Sequence, residues 1–426
     1  MKILPRYFLF LIFTLACFAE QTEGAKPLYL DDSKLAKIEK MGLELLASGF
    51  NAGNIYDEVW IRDFNTFITH SCEVQPVDIV RDRLLMFYRI QEADGNIADG
   101  YKALGTTPLL DGYHKLRTDL NIAYYKNTVE TDQEASLIQA TYKFVKKTRD
   151  SEILKTIVDG VTVIDRMEHA LDFLMNERFD EEHGLLWGGT TADWGDVQPE
   201  HEWGVELDES SNPAIDIYDN AMFVIAINDF LELNNDSKAN KRWSKIRSQI
   251  VKSTRKHLWD SKAKKFRPHL YLFDSPFPAD FNESEIFFHG GTAVAIEAGM
   301  LKPKEIISSY QTMQDNVSKS GAQSIGLTLY PVYPEGFFKN PHMSPYHYQN
   351  GGDWTWFGAR MASQLARNGF IKEAREAATP MLKRVIENDG FYEWYTKDGD
   401  PQGYGTFRGS AGVVLTLIDD LRAAID

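Results

Sequence analysis

Helical periodicity constrains this chain more than any other feature of its sequence. Apolar residues recur at spacings of three and four in about twelve segments, roughly 32–48, 61–73, 76–92, 130–147, 151–176, 214–233, 239–258, 287–299, 303–318, 352–367, 370–387 and 408–425. No series of alternating strands interrupts them. Some segments have one wet face. "VDIVRDRLLMFYRI" sets Arg81, Asp82 and Arg83 against Ile79, Leu84, Leu85 and Phe87. Others, such as "AIDIYDNAMFVIAINDF" and "GSAGVVLTLI", are apolar nearly all round and should be buried on most sides. The alternation predicts six helical hairpins closed into an all-α double ring, with the inner helices sheathed by the outer ones.

A ring of this size needs most of the chain, and no Pro/Ser-rich linker divides the sequence after residue 30. A single domain over 31–426 is therefore expected, preceded by a tail at 20–30 and a targeting segment at 1–19. "MKILPR" is a basic start, "YFLFLIFTLACFA" a 13-residue apolar core, and small residues follow at Ala16 and Ala19. That pattern reads as a cleaved secretory signal, too short for a membrane span, and places the protein outside the cell or in a periplasm. A lipoprotein anchor on Cys17 fits poorly with Thr14 and Leu15 before Ala16. Once the leader is removed only Cys72 remains, so no intramolecular disulfide can form. A formal charge of -16 argues against a nucleic-acid partner, which requires a basic stripe. The protein is expected to work as a monomer, with no metal and no cofactor.

Chemistry should lie in the long connections between helices. Four are rich in aromatics, glycines and carboxylates: "QEADGNIADGYKALGTT", "GLLWGGTTADWGDVQPEHEWG", "YPVYPEGFFKNPHMSPYHYQNGGDW" and "NDGFYEWYTKDGDPQGYGTFRG". Long irregular loops in a compact chain usually carry function, and these should gather at one mouth of the ring. Rings beside planar polar groups are what carbohydrate recognition needs: sugar C–H faces stack on them while hydroxyls take directional hydrogen bonds.

"YDEVWIRDFNTFITH" brings Trp60, Arg62 and Asp63 to a helix start, where the fixed donors and acceptors of an Arg–Asp pair can grip vicinal hydroxyls. "NTVETDQEASLIQA" sets Glu130, Asp132 and Glu134 at another, as caps or as substrate contacts. "YHYQNGGDWTWFGARMA" supplies Tyr348, Gln349, Asn350, Trp354 and Trp356, with Gly351 and Gly352 allowing a ligand close to the backbone. Trp187 and Trp194 add rings in the second loop. Cleaving a glycosidic bond needs one carboxyl to protonate the leaving oxygen and a second on the far side of the sugar. Asp193 and Asp196 lie in the partly apolar "TTADWGDV", where burial would keep a carboxyl protonated. Glu393, enclosed by Phe391, Tyr392, Trp394 and Tyr395, is the best second carboxylate, because a glutamate inside four rings is expensive to bury without a role.

Together these fragments resemble the inverting glycosidases built on an (α/α)6 barrel, among them glucoamylase, trehalase, the processing α-glucosidases, neutral invertases and glycogen-debranching glucosidases. "WIRDF" is similar to their glycone-holding Trp-x-Arg-Asp, at Trp60, Arg62 and Asp63; "QNGGDWTW" to their Asn-Gly-Gly-x-Trp helix start, at Asn350, Gly351, Gly352 and Trp354. "GFYEWYTKDGDPQGYGTFRGSAG" resembles the loop bearing their catalytic base, which falls on Glu393. "ADWGD" resembles the Asp-Trp-x-Asp of the cellobiose-type phosphorylases, which implies a general acid at Asp196, a glycone contact at Trp194 and Asp193 as the fallback acid. The resemblance implies an exo-acting, α-glucosidase-like hydrolase of oligosaccharides or glycosides that inverts at the anomeric carbon. Its carboxyls should stand about 6.5–9.5 Å apart to admit a water. Neither "ESGWD" of trehalases nor "IDRR" of invertases is present. Two alternatives use the same residues: a secreted sugar-binding protein without turnover, and a phosphorylase, which would need an anion pocket where Glu393 stands.

Overall fold

The computed structural model describes residues 31–110 and 112–424. The leader at 1–19 and the tail at 20–30 lie outside the described residues. Twelve α-helices occur among those described: α1 (Asp32–Ala47), α2 (Ile61–Val74), α3 (Val77–Arg89), α4 (Gln133–Thr148), α5 (Val163–Glu177), α6 (Ile217–Leu233), α7 (Ser237–His257), α8 (His289–Glu297), α9 (Pro303–Ser320), α10 (Thr355–Arg367), α11 (Ile371–Glu387) and α12 (Arg408–Ala423).

The even-numbered helices pack one against the next, α2 on α4, α4 on α6, and so on through α10 and α12, and α12 returns to α2. They are the inner ring. α6 is buried from Ile217 to Ile227 and α8 from His289 to Ile296, as all-round apolar sequences require. Helix α7 belongs to the outer ring and buries only Ala239, Trp243, Ile250 and Thr254, one stripe at helical spacing. Side chains cap several starts: Asp216 accepts from the Asp219 N–H at α6, and Asp236 from Lys238 and Ala239 at α7.

Closure has its own clasp. Arg408, at the head of α12, is 1% exposed and donates through Nη1 to the Asn51 carbonyl (2.8 Å) and Oδ1 (2.7 Å) and through Nη2 to Ser48 Oγ (2.6 Å). α1 packs on both α2 and α12, so the first and last helices are neighbours.

One expected helix is shorter than its periodicity suggested. Residues 151–162 form a 3-10 turn (Ser151–Lys155) and a hairpin pairing Ile157–Val158 with Val161–Thr162, and α5 starts only at Val163. The reason is local: Asp159 (φ 47°) and Gly160 (φ 82°) form the left-handed Asp-Gly turn that closes two-residue hairpins. Short strands also occur in the connections. Strands β1 (Val59–Trp60), β2 (Gly100–Ala103), β3 (Lys115–Arg117) and β4 (Ile122–Tyr125) form an antiparallel sheet in the order β1-β2-β4-β3. Gly100 is required there, since a Cβ would stand 2.5 Å from Trp60 Cδ1.

Candidate active site

A cavity of about 510 Å3 opens at the end of the ring where the inner helices begin. All four long loops singled out in the sequence reach it, through Asp99 and Lys102, Trp194, Asp196 and Trp203, Tyr348 and Gln349, and Glu393 and Phe407. Of the expected site residues, Trp60, Arg62, Asp63, Trp194, Asp196, Gln349, Trp354 and Glu393 line it.

Asp196 lies in the α5–α6 connection and Glu393 in the α11–α12 connection, yet both face this hollow. Each is held by a tyrosine. Tyr56 Oη donates to Glu393 Oε2 at 2.7 Å, and Tyr348 Oη donates to Asp196 Oδ2 at 3.4 Å. Asp196 Oδ1 is buried and has no hydrogen-bond partner, as do Asp63 Oδ1 and Trp356 Nε1 on the same wall. Buried polar atoms left open around one cavity are what a polyhydroxylated ligand would complete.

Electrostatics follow from burial and crowding. Burial raises the Glu393 carboxyl to about 7, with the Asp196 charge adding and the Tyr56 hydroxyl opposing. Asp196 is also raised by burial, restrained by the Arg62 charge. Burial lifts Asp99 to about 7 against the pull of Arg62, and lifts Asp63 far above the usual carboxylate range, reinforced by Glu393. Several protonatable carboxyls around one hollow are a signature of acid/base sites.

Arg62 does not reach out freely to a ligand. Its Nε donates to Asp132 Oδ2 (2.8 Å), its Nη2 pairs with Glu130 Oε1 (2.8 Å) and its Nη1 reaches the Trp194 carbonyl (3.3 Å). Asp132 is fully buried, accepts also from Tyr218 Oη (2.6 Å), and does not line the cavity; it holds Arg62.

Three other expected site residues stand elsewhere. Trp187 lies under the Arg178 guanidinium, 4.6 Å from its ring centroid. Asn350 is buried and serves the backbone, accepting from the Tyr333 N–H (2.9 Å) and donating to the Tyr333 and Met343 carbonyls (3.0 and 2.9 Å). Asp193 caps α8: its two oxygens accept from the N–H groups of Gly290 (2.6 Å) and Gly291 (2.7 Å). Burial raises this carboxyl as well, with the two N–H groups opposing, but both oxygens face the α8 backbone and Asp193 does not line the cavity. Replacing Asp193 by Asn should therefore cost about 1–3 kcal/mol in a urea melt while lowering turnover less than tenfold. A loss of turnover as deep as that of Asp196→Asn would return Asp193 to the chemistry.

The close approach expected at Gly351 and Gly352 is made by the protein itself. A Cβ at Gly352 would stand 2.2 Å from the Tyr348 carbonyl oxygen, and one at Gly351 (φ +90°) 2.4 Å from Val332. Sequence reasoning passed over Tyr56, Asp99, Tyr113, Tyr125, Asn127 and Trp203, all of which line the cavity. Tyr56 was signalled only by standing four residues before Trp60, and Asp99 only by "ADGY" within a loop already marked.

A closed ring of six helical hairpins with a carboxyl- and indole-lined hollow at one end defines a glycosidase-type barrel. The same architecture recurs in the GH63 mannosylglycerate hydrolase from Thermus thermophilus in complex with glucose, at TM-score 0.63 and 14% identity over 89% of this chain and 99% of that one. It recurs again in the rhamnosidase from Klebsiella oxytoca with rhamnose bound, at TM-score 0.57 and 12% identity over 92% of this chain and 65% of that one. The chain belongs to the glycosyl hydrolase 94 superfamily, whose catalytic-domain model matches residues 43–349. That match includes Asp196 and ends before Glu393. A comparison with curated proteins gives no match. No helix among the described residues is long and apolar enough to cross a membrane.

Proposed function

We propose that the protein is an exported glycoside hydrolase that removes a terminal sugar, α-glucosidase-like, by single displacement with inversion. The observation that carries this reading is the pair Asp196 and Glu393, which come from distant loops, face one cavity, and are both raised by burial. In the reaction Asp196 gives its proton to the leaving-group oxygen as the anomeric C–O bond breaks. A water attacks the opposite face of the anomeric carbon and loses its proton to Glu393. The free sugar and the alcohol leave, and solvent exchange returns a proton to Asp196 and removes one from Glu393. The apolar leader is the basis for export, which cell fractionation tests directly.

An end-on pocket of this size suits one sugar and a small leaving group rather than the middle of a polymer. The test is a screen of α- and β-linked glucosides, mannosides and rhamnosides, with NMR of the first-formed anomer. Retention of configuration would end the single-displacement reading.

The likeness of "ADWGD" to phosphorylases gives phosphorolysis a hearing. Phosphate would need a free cation near Glu393, but Arg62 is engaged by Asp132 and Glu130, and Lys102 pairs with Glu58 at 3.1 Å. Added phosphate should therefore leave the rate unchanged and yield no sugar phosphate.

Burial of the base also has a cost in stability. The Glu393 carboxyl is raised from 4.5 to about 7 in the folded protein, so its contribution is fully present below about pH 4.5 and lost as pH rises through 7. Glu393→Gln, which mimics the protonated form, should be more stable than the wild type at pH 8 by on the order of 2 kcal/mol, with the gap closing toward pH 5. Equal melting curves at pH 8 would show that the carboxylate is not strained there.

A further inference from the structure

The cavity wall is divided by polarity. Its floor is made of Arg62, Asp63, Glu130 and Asn127, each 7% exposed or less, with Asp196 and Glu393 above them. Pro108, Leu110, Tyr113, Trp203 and Val205 form a mainly apolar outer face, the rim of the same hollow, with His114 and the Lys102–Glu58 pair beside it. Trp203 is 46% exposed and Leu110 51%.

Two of the exposed large hydrophobic residues, Leu110 and Trp203, line the hollow itself. Of the ten among the described residues, Leu109, Leu110 and Trp203 belong to the two segments that form this rim. Ile55 and Tyr404 stand next in sequence to Tyr56, which bonds Glu393, and Gly403, where a Cβ would lie 3.0 Å from Glu393 Oε2. Scattered single hydrophobics need no explanation, but an exposed leucine and an exposed tryptophan lining a ligand cavity do.

The rim is also built rather than loose. Trp203 meets Tyr113 edge to face at 4.7 Å, and Tyr113 lies at 5.0 Å from Tyr125 of β4. Trp203 is thus supported from the sheet side although it sits on the Asp196 loop, while much of its surface stays open. On that loop the leaving-group side of the site is the natural place for it, because Asp196 is the group that protonates the leaving oxygen.

We infer that the enzyme recognises glycosides whose leaving group is an apolar alcohol, with Trp203, Tyr113 and Leu110 as the surface that receives it. This rests on the hydrolase reading above and adds the class of aglycone. A sugar or a glyceryl group at the rim would place hydroxyls against Pro108, Leu110 and Val205, which offer no side-chain hydrogen bonds, whereas a phenyl or cyclohexyl group would bury apolar surface on both partners.

The experiment uses methyl, glyceryl and 2-phenylethyl glycosides of one glycone, chosen as the one whose sugar the wild-type enzyme releases fastest, or glucose if none is released. All three leaving groups are aliphatic alcohols, so intrinsic reactivity differs little. The expected result is a kcat/KM at least tenfold higher for the phenylethyl than for the methyl member, a ratio that falls toward one in Trp203→Ala. A flat series, or a preference that survives Trp203→Ala, overturns the inference and leaves the hydrolase reading intact. Binding of the same three compounds to Glu393→Gln, followed by calorimetry, separates the other failure. Graded binding that depends on Trp203 without any turnover by the wild type would keep the apolar subsite and sink the hydrolase. Ungraded binding would sink the subsite on its own.

Discussion

Asp196→Asn should lower kcat on an alkyl glycoside by about 10^3-fold but leave most of the activity on the matching glycosyl fluoride, whereas Glu393→Gln should lose both. The difference follows from what each carboxyl does. Fluoride departs without a proton, so an enzyme lacking its acid can still expel it, but the attacking water needs a base in either case. The outcome matters because burial raises both carboxyls, so electrostatics alone do not separate acid from base. Burial takes Glu393 to about 7, with the Asp196 charge adding, and raises Asp196 against the opposing Arg62 charge. The proposed chemistry places the proton on Asp196, which a leaving-group oxygen in contact with that carboxyl would stabilise. If Glu393→Gln keeps the fluoride and Asp196→Asn does not, the two roles are exchanged. The pH–rate profile should be a bell in either case. Below it both carboxyls are protonated and no base remains, and above it both are ionised and no acid remains.

Arg62→Leu should destabilise the protein by about 3–5 kcal/mol in denaturant melts, the largest single-site loss expected near the cavity. Arg62 is 7% exposed and pairs with two carboxylates that are themselves buried, Asp132 at 0% and Glu130 at 7%. Deleting the cation leaves both in a poor solvent for charge. Arg62→Lys keeps the charge but not the fork that meets both partners, so it should fall between the two. A double variant, Arg62→Leu with Asp132→Asn, should recover part of the loss because one stranded charge is gone. Strict additivity of the two single changes would mean that the pair is not coupled. Activity should drop further than stability, since Arg62 also holds the Trp194 carbonyl two residues before Asp196.

Helix number and order were legible because a 3.6-residue period persists over long segments, and the all-round apolar stretches marked which helices form the inner ring. The hairpin at 157–162 was missed although Asp159-Gly160 signalled it, because the flanking apolar residues also fit a helix. In the site, loops were easier to read than individual residues. Asn350 and Gln349 are adjacent and chemically alike, yet one satisfies buried backbone and the other lines the cavity. Asp193 and Asp196 share a loop, but only the fold shows that the first faces the N–H groups of α8. Tyr56 could not be assigned to Glu393 from a chain that separates them by 337 positions. Residue type announces polar chemistry; only packing decides whether the partner is a substrate or the protein's own backbone.

The Arg408 clasp has a consequence for how the molecule comes apart. Because it ties the head of the last helix to the turn that follows the first, the toroid has no free edge from which a hairpin could peel away. Amides of α1 and α12 should then exchange with deuterium as slowly as those of the middle helices. The same adjacency means that joining the two ends through a short peptide and opening the chain in an exposed outer turn, such as that between α6 and α7, should give a permuted protein with the same barrel.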